Sequence, residues 1–339
     1  METTTRTLDV PGASLHYEVR GSGPVLLLIC GGIYDAAGYA GLAGLLADRY
    51  TVVTYDRRGN SRSPLTGPPE RQEIAVHADD ASRLLGAVAG GPAFVFGNSS
   101  GAQIALELAA RHPEQVRAVV AHEPPLLGLL PDADHWESVI ADVEHAYREG
   151  GVGPAMGVFG AAMGMSGGDE PGSEGEPSSE GEPGGEGEPD DAGEPGNAGE
   201  PDNAGEPDNA GEPDNAGEPG NAGEAASLRE AAGSSEAAEA PSPEMLEMFA
   251  RFEKNTDFFA GYEVPGFGRH SLDVGRLRES PVRITVAVGA ESAGEPPHRA
   301  GLALAERLGK PAETYPGDHG GFGAEAPAFA ARLAETFSS

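Results

Sequence analysis

Residues 97–101, which read Gly-Asn-Ser-Ser-Gly, constrain the fold of this chain more than any other segment. Residues 93–96 before them are an apolar run typical of a short buried strand, and residues 102–111 after them have the spacing of an amphipathic helix. A Gly-x-Ser-x-Gly turn between a strand and a helix raises the serine hydroxyl above a sheet. Small residues on both sides let the strand and the helix approach closely. The segment therefore predicts a strand–turn–helix unit with Ser99 as a candidate nucleophile.

The chain on either side of this turn alternates strands with helices. Unbroken apolar runs such as residues 25–30 are typical of strands buried on both faces. Alternation of this length predicts a mostly parallel sheet with helices on both faces. The predicted strands are residues 7–10, 15–19, 25–30, 51–55, 93–96, 116–122, 283–289 and 312–315, and the predicted helices flanking them are residues 40–48, 72–89, 102–111, 298–308 and 327–337.

Residues 166–243 differ from the rest of the chain in composition. They contain 22 acidic residues and one arginine, and so carry −21 of the formal net charge of −33. Within them, residues 193–222 are five tandem units of the form Gly-Glu-Pro-(Asp/Gly)-Asn-Ala, in which no apolar side chain is larger than alanine or proline. Such a segment buries too little surface to offset the entropy lost on ordering, and its carboxylates repel one another. We predict a disordered acidic insert.

Composition also disfavours several classes of function. The six-residue period and the proline in every unit disfavour calcium binding, and the acidic charge disfavours a nucleic-acid partner. The single cysteine, Cys30, leaves no intramolecular disulfide, which fits a reducing compartment. No apolar signal core opens the chain, and no run of about eighteen apolar residues occurs in it. We expect a cytoplasmic protein without a membrane span, a metal or a cofactor.

Four motifs, in this order along the chain, resemble those of the α/β-hydrolase family. Residues 30–32 (Cys-Gly-Gly) stand where the family usually has His-Gly-x, and residues 56–63 (Asp-Arg-Arg-Gly-Asn-Ser-Arg-Ser) resemble its Asp-x-Arg-Gly-x-Gly-x-Ser turn. The Gly-x-Ser-x-Gly turn is the third motif, and residues 317–320 (Gly-Asp-His-Gly) are the fourth. The resemblance covers nearly all of the chain except the insert.

The resemblance implies an α/β-hydrolase fold, with a mostly parallel eight-stranded sheet flanked by helices. Residues 1–123 and 281–339 would form the core, and residues 124–280 a helical cap that the disordered insert interrupts. Within that cap, residues 134–148 form a predicted amphipathic helix, while residues 154–165 and 243–259 are rich in Met and Phe. These side chains would join the cap to the sheet, or line a pocket for an apolar acyl or ring group.

The candidate catalytic residues come from the same motifs. Serine needs a base within hydrogen-bond reach, and His319 follows the last predicted strand on a glycine-rich loop. Two acids remain open. Glu291 follows the seventh strand, where the family usually carries its acid, although the commonest spacing falls on Ser292; Glu123 follows the sixth strand. We prefer Glu291.

The resemblance assigns the two oxyanion donors to the backbone N–H groups of Ser100 and Gly32, with Ile33 as the fallback for the second. It implies a serine hydrolase that forms an acyl-enzyme on a small carboxylic ester, lactone or amide-like substrate. The alternatives are a cofactor-free perhydrolase or acyltransferase of the same fold, and a non-catalytic ligand-binding member. A preference for arginine over lysine suggests a bacterial source, and the oligomeric state stays open.

Overall fold

Eight strands form a single sheet in the computed structural model, as predicted. The structure describes residues 3–164 and 242–339, and these residues belong to one compact unit. All but the last two residues of the predicted disordered insert, 166–243, lie outside the described residues. The strands are β1 (Thr3–Val10), β2 (Ala13–Gly21), β3 (Val25–Ile29), β4 (Thr51–Tyr55), β5 (Ala93–Asn98), β6 (Val116–His122), β7 (Arg283–Gly289) and β8 (Glu313–Tyr315).

The strand order across the sheet is β1-β2-β4-β3-β5-β6-β7-β8. The pairs β1–β2 and β2–β4 are antiparallel, and the remaining pairs are parallel. The parallel strands β3 and β5 to β8 all present their carboxyl ends at one edge of the sheet, where the loops that follow them meet. This edge brings together the predicted site motifs.

Helices cover both faces of the sheet. They are α1 (Ala40–Leu46), α2 (Ile74–Val88), α3 (Ser100–Arg111), α4 (Ala133–Gly150), α5 (Val152–Met163), α6 (Pro243–Phe258), α7 (Val264–Phe267), α8 (Val274–Glu279), α9 (Pro296–Leu308), α10 (Gly321–Ala324) and α11 (Ala326–Ser338). A π-helix, Phe259–Glu263, joins α6 to α7, and short 3₁₀ turns lie at Ala36–Tyr39, Pro113–Gln115 and Leu127–Leu129.

The two faces of the sheet carry separate hydrophobic clusters because side chains alternate along a strand. In β3, Leu27 and Ile29 pack with α2, α3 and α9, whereas Leu26 and Leu28 pack with α1 and α11. The bounds of β4, β6 and β7 match the prediction. By contrast, β1 begins four residues earlier than predicted, because its exposed, threonine-rich first half gives no apolar signal.

Between β6 and β7, the described chain forms α4 to α8, in the region predicted as a cap. Helix α4 has the predicted buried stripe, formed by Trp136, Val139, Ile140 and Val143. Two apolar residues of α6, Met245 and Leu246, are 40% and 55% exposed, so the expectation that they join the core or a pocket is wrong. The division of the chain at residues 123 and 280 into core and cap stays a prediction.

Candidate active site

The predicted turn stands at the carboxyl end of β5. Ser99 lies between β5 and α3 with φ +55° and ψ −129°, a backbone conformation that is costly for any residue other than glycine. Its N–H donates to the His122 carbonyl at 2.9 Å. A Cβ atom at Gly97 would lie 2.3 Å from the Gly101 carbonyl oxygen, and one at Gly101 would lie 2.1 Å from the Ile29 oxygen. Both positions therefore require glycine.

His319 and Glu123 meet at this edge of the sheet. His319 lies on the loop after β8, and its Nδ1 is 2.6 Å from Oε2 of Glu123, which directly follows β6. An ionised carboxylate only accepts hydrogen bonds, so Nδ1 carries the proton and Nε2 of the neutral ring is left as an acceptor. The Glu123 side chain is fully buried, whereas that of His319 is 33% exposed. The pair thus presents a basic nitrogen at an open edge.

Glu291, the acid preferred from the sequence, lies elsewhere. Its side chain is exposed and has no described contact with His319, while its backbone N–H donates to the Gly317 carbonyl at 3.0 Å. The structure thus brings Glu123, and not the preferred Glu291, into contact with His319. The end of β7 instead supplies donors to Glu123: the Gly289 N–H donates to its Oε1 at 2.8 Å, and the Ser292 hydroxyl donates to the same oxygen.

These contacts keep Glu123 ionised. Burial acts to raise the pKa of Glu123, but the hydrogen bond and charge of His319, together with His122 and the Ser292 hydroxyl, lower it to about 2. The pKa of the neighbouring His122 is lowered to about 3, chiefly by burial. At neutral pH the site therefore holds a carboxylate beside His319 and a neutral His122.

Asn98, the residue before Ser99, connects the turn to the histidine loop. Its Nδ2 donates to the His319 carbonyl at 2.9 Å and lies 3.1 Å from Nδ1 of His122. The neutral His122 ring accepts this second bond at Nδ1. The Ser99 hydroxyl has no hydrogen-bond partner among the described residues, and hydrogen bonds of this kind often form fully only when substrate is bound.

Of the two expected oxyanion donors, one has a free N–H group and the other does not. The Ser100 N–H is the first of α3 and has no intrahelical acceptor. The Gly32 N–H, by contrast, donates to the Ser100 hydroxyl at 3.0 Å and is not free in this structure. The fallback residue, Ile33, has an N–H without a partner within the described ranges. No local pattern indicates that the Ser100 hydroxyl engages Gly32.

A cavity of about 50 Å³ adjoins Ser99. No charged side chain lines it, and most of its wall comes from the segments between β6 and β7. The lining residues are Ser99, Ser100, Gln103, Pro125, Leu127, Ile140, Phe159, Met163, Phe259, Val264, Phe267 and Gly268. A second cavity of about 250 Å³, beside α4 and residues 268–272, does not include Ser99.

The structure offers neither a reactive thiol nor a metal site among the described residues. Burial raises the pKa of the Cys30 thiol to about 12, so it stays protonated. Across the described ranges, no cluster of three or more His, Cys, Asp or Glu side chains is arranged to hold a metal ion. Among the described helices, none has both the length and the hydropathy needed to cross a membrane.

The fold and the sequence have known counterparts. The crystal structure of a hydrolase from Pseudomonas aeruginosa superposes with a TM-score of 0.61 at 19% identity, over 99% of this chain and 98% of that one, which is a likeness in fold. Residues 24–165 match the family model described as the alpha/beta hydrolase fold. The chain therefore has the α/β-hydrolase fold.

Two curated relatives match this chain over part of its length. The chain is 55% identical over 130 residues to the hydrolase YraK of Bacillus subtilis, and this alignment covers 38% of this chain and 48% of that protein. It is 35% identical over 119 residues to 2-(acetamidomethylene)succinate hydrolase of Mesorhizobium japonicum, covering 34% and 41%. The aligned parts thus span less than half the length of these relatives.

Sequence reasoning missed several residues that shape this candidate site. Arg57 and Asn98 lie inside motifs that were recognised, yet neither was given a role. Ser292 stands where the family's commonest spacing puts its acid, which was a signal to look for the acid on another strand. Asn255 and Glu263, in the segment that follows the insert, belong to no motif and gave no signal.

Proposed function

We propose that this chain is a serine hydrolase that works through an acyl-enzyme. The observation that carries the proposal is the 2.6 Å contact between His319 Nδ1 and the buried Glu123 carboxylate, at the sheet edge where the Ser99 turn stands. Ser99 is the proposed nucleophile, His319 the base, and Glu123 the group that orients the base.

In the proposed reaction, Ser99 Oγ attacks the substrate carbonyl carbon as its proton passes to His319 Nε2. Glu123 accepts the hydrogen bond from Nδ1–H and stabilises the imidazolium. The N–H groups of Ser100 and Ile33 bind the oxyanion that forms. The C–O or C–N bond to the leaving group then breaks, and Nε2 returns its proton to that group. A water molecule then attacks the acyl carbon and gives a proton to His319 Nε2. The bond to Ser99 Oγ breaks, Oγ takes that proton back, and the carboxylic acid leaves.

We propose a small, uncharged acyl group as the substrate's reacting part. The cavity beside Ser99 has about 50 Å³ and no charged side chain in its wall, so it has no partner for a carboxylate. One relative is named for the hydrolysis of 2-(acetamidomethylene)succinate, a dicarboxylate. The apolar wall favours small esters, lactones or amides with neutral acyl groups in this chain.

The test is an ester chain-length series measured on wild type and Ser99→Ala side by side. We expect p-nitrophenyl acetate to be cleaved faster than its octanoyl analogue, and Ser99→Ala to lose at least about 10⁴-fold in kcat at an unchanged melting temperature. A fluorophosphonate probe should label wild type and Ser100→Ala, which keeps the backbone amide, but not Ser99→Ala. Undiminished turnover by folded Ser99→Ala would refute the proposal.

A further inference from the structure

The loop after β3, residues 30–33, is held by side chains outside the proposed triad. Arg57 is fully buried, and its Nη1 donates to the Cys30 carbonyl at 2.6 Å. Its Nη2 donates to the Gly32 carbonyl at 2.6 Å. The Gly31 carbonyl accepts from the Tyr34 N–H at 3.2 Å. Asn255 Nδ2, from α6, donates to the Ile33 carbonyl at 2.9 Å. Four consecutive carbonyls thus each have a donor.

The bond to the Gly32 carbonyl sets the direction of one N–H group. The carbonyl of Gly32 and the N–H of Ile33 belong to the same planar trans peptide, so they point in opposite directions. With the oxygen held by Arg57, the Ile33 N–H points away from Arg57. The Ile33 N–H also has no partner within the described residues, so it is free to bind an oxyanion. Arg57 therefore orients the proposed second oxyanion donor.

Arg57 is itself held by the segment between β6 and β7. Glu263 Oε2 accepts from Arg57 Nη2 at 2.7 Å, and Glu263 Oε1 accepts from Asn60 Nδ2 at 2.9 Å. Both charged side chains are 0% exposed. Burial acts to lower the pKa of Arg57, but the charge of Glu263 raises it above its usual value. The guanidinium therefore stays charged, with its direction fixed by a buried partner.

Glu263 ends the π-helix that also lines the cavity beside Ser99. Phe259, the first residue of that π-helix, and Val264, the residue after Glu263, are both in the cavity wall. Irregular helical turns of this kind are frequent at functional sites. One short segment thus contacts both the space for the acyl group and the arginine that holds the oxyanion loop.

We propose that Arg57 is a positioning residue for the oxyanion hole, and that Glu263 and Asn255 connect this positioning to the cap segment. The inference rests on the proposed hydrolase function. It predicts that disturbing the Arg57–Glu263 pair weakens binding of the tetrahedral oxyanion, because the Ile33 N–H loses its fixed direction. Arg57→Lys keeps the charge but lacks the planar fork that reaches two carbonyls and Glu263 together.

Arg58 offers a matched control in the same turn. It is also buried and forms a two-bond pair with Asp80, at 2.7 and 2.8 Å, but it has no described contact with residues 30–33. A loss of stability from breaking a buried pair should therefore be common to Arg57→Lys and Arg58→Lys. A loss of oxyanion stabilisation should belong to Arg57→Lys alone.

The experiment measures kcat/KM for p-nitrophenyl acetate and the inhibition constant of trifluoroacetone, whose ketone carbon forms a tetrahedral adduct with the serine oxygen. For Arg57→Lys we expect kcat/KM to fall about 10²-fold and the inhibition constant to rise by the same factor. Glu263→Gln, which leaves both loop bonds of Arg57 in place, should show a parallel but smaller change of about 10-fold. Arg58→Lys should stay within about 3-fold of wild type in both constants.

The inference is overturned if Arg57→Lys is folded and changes neither constant, or if Arg58→Lys changes both as much as Arg57→Lys does. If Arg57→Lys does not fold, Glu263→Gln decides: unchanged constants overturn the inference. Failure of the proposed function looks different, because Ser99→Ala would then retain activity whatever the Arg57 and Glu263 variants do.

Discussion

The carboxyl ends of β5 and β7 face the same site, but they are built in different ways. At the end of β5, five consecutive residues form the whole feature, and each close contact involves the turn itself or the strand beside it. At the end of β7, the position where the family's commonest spacing puts an acid holds Ser292, whose hydroxyl donates to a carboxylate supplied by β6. One end is a contiguous motif, and the other depends on a neighbouring strand.

This difference separates what local sequence determines from what only packing determines. A tight turn has steric requirements that glycine alone meets, so its residues are recognisable wherever they occur. A carboxylate that orients a histidine needs only to reach it, and adjacent parallel strands end within reach of the same loop. The acid can therefore stand after either strand without a local signature.

The largest effect that tests this comparison is expected for Glu123→Gln. The amide keeps the shape of the side chain but offers Nδ1–H no charged acceptor and cannot stabilise an imidazolium. We expect kcat/KM for p-nitrophenyl acetate to fall about 10³-fold to 10⁴-fold, as when a buried triad carboxylate is replaced by its amide. Steady-state kinetics with a measured melting temperature would test this.

Glu291→Gln is the matched control for that measurement. Glu291 has the same side chain and follows β7, but it is exposed and lies outside the described contacts of His319. We expect its kcat/KM to remain within about 2-fold of wild type. A large loss for Glu291→Gln with little loss for Glu123→Gln would reverse the assignment and return the acid to the end of β7.

The same difference explains which parts of the fold and of the site could be predicted from the sequence. The sheet, its alternating helices and the turn at Ser99 follow from apolar periodicity and from glycine sterics, and the bounds of β4, β6 and β7 were predicted to the residue. The sequence offers Glu123 only as the second candidate, because family spacing favours the seventh strand. The engagement of the Gly32 N–H by the Ser100 hydroxyl depends on how two loops meet, which no local pattern encodes.

The second prediction concerns the pH dependence of stability. The pKa of Glu123 falls from its ordinary 4.5 to about 2 in the folded protein. Because the folded-state pKa is depressed, the stabilisation is complete above pH 4.5 and is lost as the pH falls toward 2. The shift corresponds to about 3 kcal/mol of unfolding free energy.

Chemical denaturation of wild type and Glu123→Gln across this pH range isolates the contribution of this carboxyl. We expect the difference in unfolding free energy between the two proteins to be constant above pH 4.5 and to shrink by about 3 kcal/mol toward pH 2. A difference that stays constant to pH 2 would mean that the carboxylate gains nothing from His319 and the end of β7.

The smallest expected effect comes from Ser292→Ala, which removes one donor to Glu123 but leaves the Gly289 N–H in place at 2.8 Å. A hydrogen bond to a charged group contributes about 1.5–3 kcal/mol, so we expect a comparable loss of stability, and about a 10-fold loss in kcat/KM as the carboxylate becomes less fixed. Denaturation and kinetics on the single variant would measure both.

A double variant, Glu123→Gln with Ser292→Asp, then asks whether the end of β7 can supply the acid. The Ser292 hydroxyl already lies at hydrogen-bond distance from the carboxylate oxygen of Glu123, so a carboxylate at position 292 would start close to the place that Glu123 occupies. We expect recovery of about 10-fold over Glu123→Gln alone, which is less than full activity because the serine donor is lost. No recovery in a folded double variant would show that the acid's place is specific to β6, and that the two neighbouring strand ends are not interchangeable.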